Sequence, residues 1–237
     1  MKHLRIFQTA QEFDKCKSSL KYPCVSLTID NNTVNIILPP LYELVDLGLP
    51  SGIKWAKCNL GATSPEEFGN YYMWASVIPN TESTCLWKHT PYHQGSVKEK
   101  SWEKYNTQES FGTIDNKTVL DKKDDAIYVE TYGEYRMPTK EEAEELISNT
   151  THKWGQMNGV NGRIFTSKTN GNNIFIPASG CRSNTSFYYL NDKGYLWTSS
   201  LNENKPYNAS TLYFSSAGSK IYTDFRYFGF TVRPVGY

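Results

Sequence analysis

The segment Gly229-Phe230-Thr231-Val232-Arg233-Pro234-Val235 constrains this chain more than any other, because strand-like alternation there runs almost to the C-terminus. Phe230 and Val232 fall on one face of an extended chain, Thr231 and Arg233 on the other. A chain ending this way is expected to tie its terminus into a sheet, whereas most termini fray. Upstream, short apolar runs recur between turn residues: Arg163-Ile164-Phe165-Thr166, Ile174-Phe175-Ile176-Pro177, Tyr195-Leu196-Trp197-Thr198 and Thr211-Leu212-Tyr213-Phe214. Asn170-Gly171 lies between the first two and signals a hairpin turn, since both residues tolerate positive φ.

One helix is predicted from Lys140 to Ser148. Thr139 and Glu142 have capping-box spacing, and Glu141, Glu142, Glu144 and Glu145 crowd the half where the helix dipole favours negative charge. Ala143, Leu146 and Ile147 supply its core stripe. Earlier, Val45 to Ala56 reads as strand, Pro/Gly turn and strand, Ser64-Pro65 as the start of a one-turn helix, and Tyr71 to Ala75 as a strand. Residues 78–131 are polar and Lys-rich and read as long surface loops, with Asp124-Asp125 as a solvated tip.

Residues 1–41 read as a separate β-α-β-β unit. It comprises a strand over Leu4–Phe7, a helix over Gln11–Leu20 capped by Thr9, and a hairpin from Val25–Ile29 to Thr33–Leu38. Pro39-Pro40 follows as a stiff linker. A unit of ~40 residues is marginal alone, so it is expected to rest on a partner or on other copies of the chain.

The balance of 25 Lys+Arg against 24 Asp+Glu, without a charge run, offers no nucleic-acid footprint. Met1-Lys2-His3 leads into no apolar signal region, and no run approaches the ~20 apolar residues of a membrane span. Five irregularly spaced cysteines argue for reduced thiols and against a disulfide framework. Cys85, His89 and His93 mimic zinc spacing, but Pro91 breaks the helix that would align them and no fourth ligand stands nearby. No phosphate loop, nucleophile elbow or His-Glu-x-x-His motif occurs. The expectation is no enzyme, no cofactor, no metal, no nucleic acid and no membrane. Asn31, Asn116, Asn149, Asn184 and Asn208 match the glycosylation pattern, which without a signal peptide reads as accident.

Eight motifs fall in a characteristic order: Val45-Asp46-Leu47-Gly48-Leu49-Pro50-Ser51-Gly52 with Trp55-Ala56; Asn59-Leu60-Gly61-Ala62; Pro65-Glu66; Gly69-Asn70-Tyr71-Tyr72-Met73-Trp74; Arg136-Met137-Pro138-Thr139-Lys140-Glu141-Glu142; Phe175-Ile176-Pro177-Ala178-Ser179-Gly180; Gly194-Tyr195-Leu196-Trp197-Thr198-Ser199-Ser200; and the terminal segment. From residue 42 to 237 the chain resembles the Fibrobacter succinogenes major paralogous domain, abundant in Bacteroides and their phages. That family is similar to the C-type-lectin-like fold of formylglycine-generating enzymes. Residues 1–41, through Phe7-Gln8-Thr9, Glu12-Phe13 and Tyr22-Pro23-Cys24-Val25-Ser26, resemble N-terminal modules of virion proteins of Bacteroides phages, crAss-like phages included.

The resemblance implies an α+β, C-type-lectin-like domain with long loops, whose first and last strands pair. Trp55, Trp74 and Trp197 would pack its core, Arg136 and Arg233 would bridge buried carbonyls or carboxylates, and Gly180 and Gly194 would supply backbone freedom. Formylglycine chemistry needs paired cysteines, and only Cys181 lies beyond Cys85. The calcium motifs of C-type lectins are reduced to Leu190-Asn191-Asp192 and Glu203-Asn204-Lys205-Pro206, where Lys205 opposes a cation.

Binding residues are expected in two loops, Arg182 to Asn191 and Ser215 to Tyr227: Asn184, Phe187, Tyr188, Tyr189, Tyr222, Asp224, Phe225 and Tyr227, with Lys220 among them. Rings and short polar groups suit glycan or protein recognition, and the same rings also fit strand positions or subunit contacts. The expected protein is a non-enzymatic virion component, a head or tail fibre or decoration. It would be made in the host cytoplasm, held to other virion proteins through residues 1–41, and form a homo-oligomer with a trimer favoured. A bacterial surface-associated binding protein of the same family is the alternative.

Overall fold

The computed structural model describes the backbone of residues 5–7, 24–29 and 32–37, and residues 41–81, 87–94 and 101–237. Strands β1 (Arg5–Phe7), β2 (Cys24–Ile29) and β3 (Asn32–Ile37) pair in the order β1-β3-β2, with Ile29 opposite Asn32 in the β2–β3 hairpin. The helix expected over residues 11–20 lies outside the described residues.

From residue 41 the chain forms β4 (Leu44–Val45), β5 (Lys54–Ala56), β6 (Tyr71–Tyr72), β7 (His93–Gln94), β8 (Ser101–Trp102), α1 (Ala126–Glu130) and α2 (Lys140–Asn149). Then come β9 (Thr150–Met157), β10 (Val160–Ser167), β11 (Asn173–Pro177), β12 (Cys181–Ser183), β13 (Ser186–Tyr188), β14 (Lys193–Leu201), β15 (Asn208–Ser215), β16 (Gly218–Phe225), β17 (Phe230–Thr231) and β18 (Val235–Gly236). With two α-helices among the described residues, the protein is mainly β.

A five-stranded sheet, ordered β16-β15-β14-β17-β6, organises the domain. Alternation sorts its side chains between two cores. Leu196, Leu212 and Phe214 meet Ala143 and Leu146 of α2, together with Phe165, Ile174 and Ile176 of β10 and β11. Trp197, Ala209 and Phe230 join the opposite cluster, with Tyr72, Trp74 and Ile127. The expected pairing of early and late strands is present: β5 lies between β4 and β18, with Val235 opposite Trp55.

Trp55, Trp74 and Trp197 are fully buried, as expected of core rings. The capping box of α2 forms as predicted. Glu142 accepts the Thr139 N–H at 2.8 Å, and its carboxylate also takes both guanidinium nitrogens of Arg136, at 2.7 and 2.6 Å. Gly180 needs its freedom, at φ +60 with Tyr188 O only 2.2 Å from where a Cβ would sit. Gly194 serves differently. A Cβ there would lie 1.9 Å from the ring of its cross-strand partner Phe214, so the position makes room for that ring.

Several expectations are corrected. Ser64-Pro65 opens a turn, because the Glu67 carboxylate folds back onto the Thr63 N–H at 2.7 Å and Gly69 reverses the chain at φ +73. Strand pairing stops after Tyr72, since the Trp74 N–H bonds Arg226 O at 3.0 Å and Ala75 turns at φ +67. Residues 78–131 are more than surface loops: Trp102, Tyr105 and Ile127 are buried core residues. Strands β9 and β16 arise in stretches too polar to read as strands.

Asp124 and Asp125 are buried, not solvated. Asp125 caps α1 by accepting from the Ile127 and Tyr128 N–H groups at 2.9 and 3.1 Å, and takes the Met137 N–H at 2.8 Å. Asp124 accepts from Lys104, from the Tyr105 hydroxyl and from the Tyr92 hydroxyl. Burial works to raise the Asp124 carboxyl, but those three donors outweigh it and hold it below the ordinary range. The stability it contributes is fully present above its unfolded value of about 3.9 and is lost as pH falls through the lower folded value. Burial pushes Asp125 the other way, up to about 6, so its contribution is lost as pH rises through that value. Comparing wild type with Asp124→Asn isolates the first group, since Asp125 is common to both. The variant is expected to lose about 2 kcal/mol at neutral pH and to show a flatter decline below pH ~4, read from urea denaturation at each pH. Parallel curves would refute the role.

Candidate functional site

A groove opens at the β16 edge of the central sheet, on the face away from α2. Its floor is set by register. Tyr213 on β15 stands between Tyr195 of β14 and Lys220 of β16. Tyr222 and Asp224 follow Lys220 at every second residue and so share its face. The β12–β13 hairpin adds Cys181 and, just beyond its end, Tyr189, while Phe228 closes the side beyond β16. These eight residues line a volume of about 400 Å³.

The rings form a connected series. Tyr195 and Tyr213 have centroids 5.2 Å apart, Tyr213 and Tyr222 6.2 Å, and Tyr195 stacks at 4.7 Å on the buried Phe230. One ammonium group lines this surface and a second stands beside it on Tyr189. Lys220 Nζ sits 5.5 Å from the Tyr213 centroid and 5.1 Å from that of Tyr222, and Lys193 Nζ sits 3.8 Å over Tyr189. Asp224 is the groove's carboxylate. Burial pushes it up from the ordinary value, opposed by the Phe225 N–H that it accepts at 2.9 Å. Burial likewise raises the Tyr195 hydroxyl, so it stays a neutral donor and acceptor at neutral pH.

The hairpin is pinned rather than loose. Arg182 and Gly229 exchange backbone hydrogen bonds at 2.8 Å each way, and the Tyr71 hydroxyl donates to Ser179 O at 2.6 Å. The expected site residues divide accordingly. Tyr189, Tyr222 and Asp224 enter the groove. Phe225 and Tyr227 stack at 5.4 Å in an adjoining ladder that runs through Phe228 to Phe230. Phe187 instead braces the hairpin, with its ring 4.9 Å from the Arg182 guanidinium and edge-on to Tyr71 at 5.1 Å. Tyr188 stands half-exposed beside Tyr189, at 6.4 Å. Asn184 does not join the groove. It holds the hairpin turn at φ +52, where Asn is tolerated.

The segment 216–226, expected as a loop, is largely strand β16, which is why its polar residues reach one surface in a fixed row. Sequence reading missed Tyr195, Tyr213, Cys181 and Phe228. The available signal was that Tyr195 and Tyr213 flank apolar strand centres with amphipathic rings, as edge-facing residues do.

Among the described residues, no group of three or more His, Cys, Asp or Glu side chains is placed to hold a metal ion. His93 packs its ring on Trp102 at 4.6 Å, and Cys85 lies outside the described residues. No helix among the described residues is long and apolar enough to cross a membrane. A larger depression of about 940 Å³, between Tyr42, Met157 and Phe175, contains the Lys57–Glu43 ion pair and no converging set of reactive groups.

The fold and site define a class: a mainly β protein with an aromatic groove, carrying both signs of charge, at the edge of its central sheet. Comparison with protein-family models, curated proteins and solved structures finds no match to the chain.

Proposed function

We propose that this protein is a non-enzymatic component of a bacteriophage virion, on head or tail, that binds a glycan of the host surface. Residues 42–237 form its recognition head, a C-type-lectin-like domain of the Fibrobacter succinogenes major paralogous type. Residues 1–41 attach the head to other virion proteins or to copies of the chain, with a trimer as the favoured assembly. The order of the eight motifs supports the family.

The observation that carries the binding reading is the row of tyrosines in the groove. Centroid spacings of 5.2 and 6.2 Å offer successive ring faces on which sugar rings can stack. Hydroxyl, ammonium and carboxylate groups beside them supply directional hydrogen bonds. The row sits on paired strands, so little ordering cost falls on binding.

The test uses the full chain against polysaccharide extracted from host cells, by biolayer interferometry. Tyr222 is 47% exposed, so Tyr222→Ala is expected to leave folding stability within about 0.5 kcal/mol. Loss of its stacking face is expected to weaken binding about tenfold, since tenfold corresponds to about 1.4 kcal/mol. Lys123→Ala, an exposed position outside the groove lining, should leave affinity unchanged. Unaltered binding by Tyr222→Ala, or host recognition that survives removal of all glycan, would overturn the reading.

A further inference from the structure

Resting on the glycan-binding reading, we infer that the groove selects acidic saccharides. A uronic acid carboxylate lies against Lys193 and Lys220, its ring lies on the tyrosine row, and hydroxyls donate to Asp224.

The charge layout carries this. Lys193 stands opposite Ser215, Ser215 opposite Gly218, and Lys220 opposite Tyr213, so both lysines flank the same end of β15. Neither forms an ion pair with a carboxylate among the described residues. Both ammonium groups rest over tyrosine faces, which compensate a cation only in part. Space is left beside them, because a Cβ built on Gly218 would meet nothing within 4 Å. The register sets the two lysine Cα atoms about 12 Å apart across β15, a span that two extended lysine side chains can close on one carboxylate.

Asp224 fixes the orientation. It lies four residues along β16 from Lys220, about 13 Å at ~3.3 Å per residue. Its one hydrogen bond among the described residues is from the Phe225 N–H, so it retains acceptor capacity toward the groove. A second carboxylate beside it would be repelled, whereas sugar hydroxyls would be accepted. A saccharide carrying its acid at one end and free hydroxyls at the other matches this polarity across the tyrosines. A neutral glycan would leave both lysines unused, and a polysulfated chain would bring negative charge along its whole length to Asp224.

Isothermal titration of the full chain with oligogalacturonides, with neutral dextran oligosaccharides of equal length, and with dextran sulfate tests the inference. The uronic oligomer is expected to bind at least tenfold tighter than either of the others. The double variant Lys193→Gln/Lys220→Gln should lose that preference, while Lys122→Gln/Lys123→Gln, with the same change in net charge away from the groove, should keep it. Equal losses in the two doubles would mean unspecific attraction and would overturn the inference. So would a wild type that prefers dextran or dextran sulfate, although the glycan reading would then stand. Binding of none of the three, together with none of the host polysaccharide, would remove the glycan reading itself.

Discussion

Arg233→Ala is expected to cost about 4 kcal/mol or more of folding stability, a large part of the 5–15 kcal/mol typical of a whole domain. The guanidinium is fully buried and bonds four acceptors from two segments, 56–59 and Phe175. Its Nε donates to Asn59 Oδ1 at 2.7 Å, one terminal nitrogen to Ala56 O at 2.9 Å and Lys57 O at 2.5 Å, and the other to Phe175 O at 3.2 Å. These hold the turn after β5 and strand β11 to the terminal segment. On either side of Arg233 the backbone is already zipped, with the Leu60 N–H on Val232 O and the Ala56 N–H on Pro234 O, both at 2.9 Å. Alanine would take this donor from four acceptors, three of them buried, at about 1–3 kcal/mol for each that is left unsatisfied.

Burial pushes the Arg233 guanidinium down to about 10, still cationic at neutral pH, so its partners act on a full charge. Arg233→Lys keeps that charge but replaces a planar five-donor fork with a compact ammonium that cannot reach all four acceptors together. It is expected to lose about 2 kcal/mol. Urea denaturation followed by fluorescence of the buried tryptophans measures both. A cost below about 1.5 kcal/mol for Arg233→Ala would show that the terminal segment is held by packing and backbone pairing alone.

Arg233 also shows what can be read from sequence. Alternation placed it on the face opposite Phe230 and Val232, and the resemblance implied that it bridges buried carbonyls or carboxylates; its acceptors are three carbonyls and the Asn59 amide oxygen. Helix α2 was legible for a similar reason, since cap, dipole and apolar stripe all agree within ten residues. Trp102, Tyr105 and Arg226 were not. They stand as single anchors in polar or irregular chain, and their partners lie far off, as with Arg226 and Lys104, 122 residues apart. Strand β16 was hidden because its outward face is polar, although Ile221, Tyr222 and Thr223 are residues that favour strands.

The site was half legible. Clustered rings near residues 187–189 and 222–227 marked a surface. Only the register of β14, β15 and β16 places Tyr195 and Tyr213 beside Lys220, and register is not written in any one strand.

Arg226→Ala is expected to cost as much as Arg233→Ala, about 4 kcal/mol, with a signature that reaches the groove. The guanidinium is fully buried and forms no ion pair with a carboxylate among the described residues. Its Cζ lies 3.9 Å from the Trp102 ring centroid and 4.8 Å from that of Trp74. One nitrogen donates to Tyr105 O at 3.2 Å and Pro206 O at 3.1 Å. Burial pushes it down to about 9, still above neutral pH, so it remains a cation there. Arg226→Met separates charge from volume, because methionine refills most of the space without donors or charge. If the cation matters, the methionine variant should still lose about 2 kcal/mol; a loss below about 1 kcal/mol would reduce Arg226 to packing. Tyr227 and Phe228 follow directly, and Phe228 forms one wall of the groove. A folded Arg226→Met protein should therefore bind saccharide several-fold more weakly although no residue that lines the groove has changed. Unchanged affinity would mean that the Arg182–Gly229 backbone pair alone fixes the wall.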